Sequence, residues 1–223
     1  MKGVNKINKY SVRPMSLKEQ SYEVIKEAII EGVLSDDEQL TEKKAEEMFG
    51  ISRTPFREAI QRLESEEWVY SIPYKGNFVS ALTMRDVEEI LQIRLIIETA
   101  IAKVVANSIT GEQLEMLNDI NNKLNVNPEQ QSDYDFTLID QEFHKTINGF
   151  SDNKQLLKIS EHIYDLVRRI AMNVLRMPIR RHKVIEEHQD IIEGLQMNNV
   201  EKTLEHHYDR VRLGAQNYFS QQT

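Results

Sequence analysis

Residues Ile51–Glu64 read ISRTPFREAIQRLE and have the pattern of an amphipathic helix with an unusual polar side. At about 100° per residue, the apolar side chains fall within one arc: Phe56, Ala59, Ile60 and Leu63. The polar residues lie at the helix entrance or outside that arc: Arg53, Thr54, Arg57 and Gln61. Such a helix can bury one edge and enter a DNA major groove, where arginine reads guanine through two hydrogen bonds.

An ordinary amphipathic helix with a solvated face would give the same pattern, so the flanking sequence must distinguish the two interpretations. Before the motif, a first helix is predicted from about Ser16 to Gly32, with one apolar face formed by Val24, Ile25, Ala28, Ile29 and Val33. A second helix is predicted to begin after the N-cap Thr41 and to end at Phe49, before Gly50. These two helices favour the DNA-binding interpretation.

The sequence around the motif also indicates a cap and a hairpin. Ser52 is predicted to cap the helix, with Pro55 in the first turn. The following stretch WVYSIPYKGNFVS contains two β-rich runs around Tyr74–Gly76, which predicts a hairpin with a basic tip. Two helices, a tight turn, a third helix and a hairpin form the order of a winged helix-turn-helix.

Composition limits the remaining function classes. The chain has 223 residues, which suits two domains, and it contains no cysteine for disulfides or thiolate chemistry. No apolar run approaches a membrane span, so no membrane partner and a cytoplasmic location are expected. The net charge of −8 means that positive charge for DNA must be local. Part of it lies on a predicted flexible basic tail at residues 1–16, which carries Lys2, Lys6, Lys9 and Arg13.

The predicted fold class is mainly α, with the winged helix-turn-helix at residues 17–80 and an all-α antiparallel bundle at residues 83–223. Thr83 and Asp86 have the spacing of a capping box at the start of the bundle. Turn and capping residues separate six predicted helices: 84–107, 111–125, 132–150, 153–176, 180–197 and 199–220.

Polar side chains interrupt the apolar stripes of four of these helices: Arg94, Glu98, Asp140, His144, His188, His207 and Arg210. Taken singly, each has an ordinary structural explanation, such as an i,i+4 ion pair or a hydrogen-bonded core histidine. Together they indicate a shared ligand or a shared network, because buried polar groups need partners. Asp140 and His144 are four residues apart and can bind one metal ion from one helix face.

The motif LTEKKAEEMFGISRTPFREAIQRLESEEWV, followed by YKG, resembles the GntR family of bacterial transcription regulators. The helical domain resembles the FCD ligand-binding domain of the FadR-type branch, in its shorter, VanR-like six-helix variant. The marks of that resemblance are Arg94-x3-Glu98, Asp140-x3-His144, Ser151-x-Asn153 and Glu187-His188-x2-Ile191.

The resemblance implies a non-enzymatic regulator, commonly a repressor, that binds a palindromic double-stranded DNA operator as a homodimer. The family's DNA contacts correspond to Lys43, Ser52, Arg53, Thr54, Arg57, Lys75 and Gly76. A small-molecule effector, an organic acid or a related metabolite, would occupy the bundle near Arg94, Glu98 and Arg210 and change operator affinity.

Many relatives hold a divalent metal, here Zn, Ni or Mn, through one Asp and three His. Asp140, His144 and His188 match three of those ligands, but Arg210 stands at the fourth position and cannot ligate a metal. Three alternatives follow. Arg210, helped by Arg94, replaces the metal as the anchor for a carboxylate. His207 supplies the fourth ligand. Three protein ligands bind the metal together with water.

Two other function classes fit parts of the sequence. A metal-dependent hydrolase fused to a DNA-binding module would use Asp140, His144 and His188 as a catalytic site with an open position. The sequence offers it no recognisable general base, nucleophile elbow or Gly-rich phosphate loop. An architectural DNA-binding protein without an effector would have weak sequence preference and an unpaired, dry core.

Overall fold

The structure is a computed structural model that describes residues 15–174 and 178–220. The lysines and arginine of the predicted basic tail, and the predicted helix end at 175–176, lie outside the described residues. The chain divides between Ala81 and Leu82 into two compact units, which we call the N-terminal unit and the bundle. Each unit is described by itself.

The described N-terminal unit contains three helices and three short strands. In chain order they are α1 (Leu17–Ile30), β1 (Gln39–Leu40), α2 (Glu42–Phe49), α3 (Arg53–Ser65), β2 (Val69–Ile72) and β3 (Gly76–Val79). The strands form one antiparallel sheet in the order β1-β3-β2. The predicted winged helix-turn-helix is confirmed.

Helix α1 begins in a capping box between Ser16 and Glu19, and its buried face differs from the prediction. Ile25, Ala28 and Ile29 are buried, but Val24 and Val33 are 42% and 53% exposed. Val24 lies about 100° round the helix from Ile25, toward solvent. Val33 comes after the helix has ended, so the helical period no longer applies to it. Tyr22 and Ile30 complete the buried face instead.

The helix-turn-helix has the predicted boundaries. The hydroxyl of Thr41 accepts a hydrogen bond from the backbone of Lys44 at 3.1 Å and starts α2. Gly50 ends α2 with a φ of 68°, a left-handed conformation that favours glycine. Ser52 occupies the N-cap position of α3, but its side chain makes no capping hydrogen bond, contrary to the prediction.

The wing differs from the prediction in two details. Ile72 pairs with Gly76, so Gly76 begins β3 and the turn comprises residues 73–75. In addition, β1 extends the hairpin to three strands by pairing Gln39 with Phe78. A two-residue strand is too short to show an alternating pattern, so sequence periodicity could not predict it.

The described part of the bundle contains six helices, as predicted. They are α4 (Met84–Ala106), α5 (Gly111–Asn125), α6 (Asp133–Gly149), α7 (Lys154–Val174), α8 (Pro178–Gln196) and α9 (Val200–Ser220). The Thr83–Asp86 capping box is present. Helix α4 packs against α6, α7, α8 and α9 and is therefore central to the core. Among the described helices, none is both long and apolar enough to cross a membrane.

Candidate functional site

The N-terminal unit presents one side of α3 to solvent. Its apolar edge is buried, as predicted, through Phe56, Ala59, Ile60 and Leu63. The residues that the resemblance assigns to DNA are all exposed: Lys43, Ser52, Arg53, Thr54, Arg57, Lys75 and Gly76. These residues lie on α2, on α3 with its N-cap, and on the wing. The unit therefore offers donors of hydrogen bonds on the elements that a winged helix-turn-helix uses for DNA.

Glu42, which the sequence analysis did not single out, holds two of these arginines. Nε of Arg53 donates to Oε2 of Glu42 at 2.5 Å, and Nε of Arg57 donates to Oε1 at 2.7 Å. The hydrogen bonds from Arg53 and Arg57 lower the pKa of Glu42. This carboxylate sets the direction of both guanidinium groups at the start of α3. Helical periodicity could not reveal the contact, because it crosses the turn between α2 and α3.

The backbone conformation of the wing explains why a glycine follows its basic tip. Gly76 has a φ of 109°, a backbone conformation that side chains rarely adopt. A Cβ at this position would also lie 3.1 Å from Nε2 of Gln39. That amide donates to the carbonyl of Lys75 at 2.6 Å. Gln39 and Gly76 together fix the backbone that carries the Lys75 side chain.

The bundle brings Asp140, His144 and His188 together, as the sequence analysis predicted. One ligand atom of each lies within 4.8 Å of the other two, and all three residues are buried. Nε2 of His188 is 3.2 Å from Oδ1 of Asp140, without the alignment of a good hydrogen bond. The ring of His188 stacks on Phe143 with centroids 3.9 Å apart. Nε2 of His144 and both ring nitrogens of His188 have no hydrogen-bond partner among the described residues.

Glu98 forms the first carboxylate centre behind this cluster. It accepts hydrogen bonds from Nε of Arg94 at 2.8 Å and from Nδ1 of His144 at 3.0 Å, and also from the hydroxyl of Tyr208. Burial raises the pKa of Glu98, but Arg94 and His144 outweigh it and hold the pKa well below its usual range. The ionised carboxylate orients His144 so that Nε2 is the free nitrogen.

Glu187 forms the second carboxylate centre, and it accepts a hydrogen bond from His207 as Glu98 does from His144. Nδ1 of His207 donates to Glu187 at 2.7 Å, and Arg180 donates through both terminal nitrogens at 2.5 and 2.8 Å. Arg210 adds a longer contact of 3.3 Å. Burial raises the pKa of Glu187, but His207 and Arg180 outweigh it and lower the pKa. Sequence reasoning assigned no role to Arg180, although seven residues separate it from Glu187, which is two turns of one helix face.

The three buried histidines have the protonation state that metal binding requires. Burial lowers the pKa of His144, His188 and His207, so their rings are neutral near pH 7. Burial raises the pKa of Asp140, but its interaction with His188 outweighs this and lowers it. The ring centroid of His207 is 5.2 Å from that of His144 and 6.0 Å from that of His188. One carboxylate and neutral imidazoles suit a borderline divalent ion.

A cavity of about 30 Å³ adjoins the cluster. The described residues that line it include four polar ones: Arg94, Asp140, Arg180 and His207. Of the three predicted effector residues, Arg94 lines this cavity. Glu98 is engaged by its three partners, and Arg210 is directed to Glu187 with its side chain 33% exposed. The described lining thus pairs Arg94 with Arg180, where the sequence analysis paired it with Arg210.

Comparison with known proteins gives matches in both units. The family model for bacterial regulatory proteins of the gntR family matches residues 17–79, and the FCD domain model matches residues 89–209. An uncharacterised HTH-type transcriptional regulator, YdhC of Bacillus subtilis, is 27% identical over 84% of each chain. The HTH-type transcriptional repressor RspR of Escherichia coli is 25% identical over 86% of each chain.

A solved structure described as E. coli McbR/YncC has the same fold, with a TM-score of 0.73 and 21% identity, over 94% of this chain and all of that one. Both units therefore have counterparts in one type of protein, and these counterparts are regulators, not enzymes. The chain belongs to the GntR family, carries an FCD domain and is a transcriptional regulator.

Proposed function

We propose that this regulator is a metabolite-responsive repressor that binds a palindromic operator as a homodimer in the cytoplasm. A small organic acid in the bundle changes its operator affinity. The observation that carries the proposal is the buried cluster around Asp140 and His188, beside a cavity lined by two arginines. Burying so many charges costs free energy, and buried ion pairs often add little net stability. A need for fold stability alone therefore does not account for this cluster. The relative RspR of Escherichia coli, a transcriptional repressor, supports repression.

The DNA contacts are proposed for the seven exposed residues named above. Arg53 and Arg57 would exchange the carboxylate of Glu42 for base edges or phosphates, since their side chains are 71% and 63% exposed. Two N-terminal units, one from each protomer, would meet successive major grooves about 34–36 Å apart. That spacing predicts a palindrome with half-sites one helical turn apart, or a multiple of it.

A divalent ion is also proposed for the bundle, held by Asp140, His144 and His188. The partnerless nitrogens of His144 and His188 support this fit, because buried polar atoms otherwise need partners. When bound, such an ion would add positive charge beside the cavity, next to the two arginines that face a ligand carboxylate. His207 would be the fourth ligand only after a small movement, because its ring centroid is 5.2 Å from that of His144 but it is not among the residues whose ligand atoms lie within 4.8 Å of one another. Arg210 contacts Glu187.

Selection from random duplexes with the full-length chain tests the DNA proposal. We expect an enriched palindrome, and we expect an acid from a panel of organic and sugar acids to change its dissociation constant. Enrichment without a palindrome, and without any response to acids, would instead identify an architectural DNA-binding protein.

Elemental analysis of the purified protein tests the metal. After incubation with Zn, Ni or Mn and removal of excess ion, we expect about one ion per protomer in the wild type. His188→Ala should lose it, and the matched variant His182→Ala, at an exposed histidine, should keep it. A wild-type protein that retains no ion would refute the metal and favour the arginine-anchored alternative.

A further inference from the structure

The cavity in the bundle has two chemically different sides. One side carries the polar groups of Arg94, Asp140, Arg180 and His207. The remaining described lining consists of aliphatic side chains: Val167, Ile170, Ala171, Val184 and Val211. A ligand that fits this cavity must therefore combine a polar, anionic end with an apolar remainder.

We propose that the effector is a short aliphatic monocarboxylic acid rather than a polyhydroxylated sugar acid. This inference rests on the proposed function, in which the bundle binds an acid. It narrows that acid to a compound such as acetate, propionate or isobutyrate.

The polar end of the cavity suits one carboxylate. The guanidinium groups of Arg94 and Arg180 are buried, and Glu98 and Glu187 hold them in fixed directions. Buried, preoriented guanidinium groups form strong charge-assisted hydrogen bonds with a carboxylate. The negative charge of Asp140 opposes an anion, and the neutral ring of His188, 3.2 Å away, does not cancel that charge. The ligand carboxylate therefore lies toward the two arginines.

The aliphatic side excludes further polar groups on the ligand. A hydroxyl placed against Val184 or Val211 would lose its hydrogen bonds to water and gain none from these side chains. A second carboxylate there would lose still more binding free energy, because burying an unpaired charge costs more than burying an unpaired hydroxyl. Methyl and methylene groups, in contrast, gain from leaving water.

The size of the cavity favours the same class. About 30 Å³ is roughly the room that two or three water molecules occupy by this measure. An acid of about two to four carbon atoms needs only small adjustments of the aliphatic lining. A six-carbon sugar acid, with many more non-hydrogen atoms, exceeds that room by far more.

Calorimetry and thermal melting of the full-length protein test the inference with four probes: propionate, isobutyrate, gluconate and isobutyramide. Isobutyramide matches the shape of isobutyrate without its charge. We expect isobutyrate to bind at least about tenfold more tightly than gluconate or isobutyramide. Isobutyrate should also raise the melting temperature, and the rise should continue with the logarithm of its concentration above the dissociation constant.

Two variants locate the binding site. Val184→Thr keeps the side-chain shape and places a hydroxyl in the lining. It should therefore weaken the binding of isobutyrate about fivefold or more. Val104→Thr is the matched control, because Val104 is a helical valine that is 55% exposed. Ala171→Val reduces the volume of the cavity and should weaken the binding of isobutyrate more than the binding of propionate. It keeps the test informative if Val184→Thr folds poorly.

The outcomes separate this inference from the proposed function. Binding of gluconate in preference to the aliphatic acids would overturn the ligand class and leave an acid-responsive regulator. Equal binding of isobutyramide and isobutyrate would overturn the role of the carboxylate. Aliphatic acids that bind equally well to wild type, Val184→Thr and Ala171→Val would overturn the site. Failure of every acid to bind would overturn both the inference and the proposed acid response.

Discussion

The two units use the same kinds of charged side chains in opposite ways. In the N-terminal unit, Arg53 and Arg57 share Glu42 at the surface, with arginine side chains 71% and 63% exposed. In the bundle, Arg94 and Glu98 form a pair whose side chains are only 4% and 6% exposed. Surface ion pairs contribute little to stability, whereas breaking a buried pair is strongly destabilising.

This difference matches the two tasks that we propose. A guanidinium that is weakly held at the surface can leave its carboxylate for DNA at small cost. A guanidinium that is held in the core keeps its direction and can only be reached by a ligand small enough to enter.

Removal of the buried carboxylate centre should have the largest effect. Glu187→Ala leaves Arg180 without its two short hydrogen bonds, and we expect a loss of about 3–5 kcal/mol of unfolding free energy. The matched control is Glu205→Ala on the exposed side of α9, which should change stability by less than about 0.5 kcal/mol. Denaturant unfolding followed by far-UV circular dichroism measures both. Equal stability of the two variants would contradict the predicted difference between buried and exposed charges.

Loss of a recognition arginine should affect DNA binding and not stability. Arg57→Ala is expected to weaken operator binding by about 1–3 kcal/mol and to relax the preference for one base pair. Fluorescence anisotropy with the selected operator and with single-base variants measures both effects. Arg212→Ala, at another partly exposed arginine, is the control and should bind as the wild type does. Wild-type affinity in Arg57→Ala would refute the proposed docking of α3.

Sequence reasoning succeeded where an element carries its own signal. The capping box of Thr83 and Asp86, the glycine after α2 and the apolar arc of α3 are all local patterns. It also identified Asp140 and His188, because a polar residue at a position where the helical period expects an apolar one can be recognised from the sequence.

The features that sequence reasoning missed depend on contacts between elements. Glu42 meets Arg53 and Arg57 across a turn, and Glu187 joins Arg180 on its own helix to His207 on the next. No periodicity reports the pairings between elements, whereas the seven-residue spacing of Arg180 and Glu187 on one helix face was a signal that went unused. Val24 was misplaced for a related reason: several apolar residues on α1 compete for one face, and packing against α3 decides which are buried.

Glu66 in the N-terminal unit is intermediate in exposure between the surface pairs of Glu42 and the buried pairs of the bundle. It is partly buried and accepts hydrogen bonds from Tyr22 at 2.5 Å and from Arg62 at 3.0 Å. Burial raises the pKa of Glu66, but Tyr22 and Arg62 outweigh it and lower the pKa. Glu66→Gln should therefore cost about 1 kcal/mol of unfolding free energy at neutral pH.

The pH dependence of that cost follows from the lowered pKa. The stabilisation by Glu66 is present above the pKa of the unfolded carboxyl group and is lost as the pH falls through the folded value. The difference between wild type and Glu66→Gln should shrink accordingly in acid. The fluorescence of Trp68, the single tryptophan of the chain, reports unfolding of this unit. A difference that stays constant down to acidic pH would contradict the assignment.

The smallest expected effect concerns the wing. Lys75 is exposed at the tip of the hairpin, so Lys75→Ala should weaken binding to all DNA sequences similarly. The slope of the logarithm of affinity against the logarithm of salt concentration should fall by about 1. An altered base preference in this variant would instead assign base reading to the wing.

The central claim is that an acid in the bundle changes DNA binding by the N-terminal unit. Its most direct test is operator anisotropy with and without isobutyrate, in the wild type and in Arg94→Lys. That variant keeps the charge beside Glu98 but loses the planar fork that binds a carboxylate. We predict that isobutyrate shifts the wild-type dissociation constant by about 5- to 150-fold, and that Arg94→Lys binds the operator normally with little or no shift. An equal shift in both proteins, or no shift in the wild type with isobutyrate, propionate or gluconate, would contradict the claim.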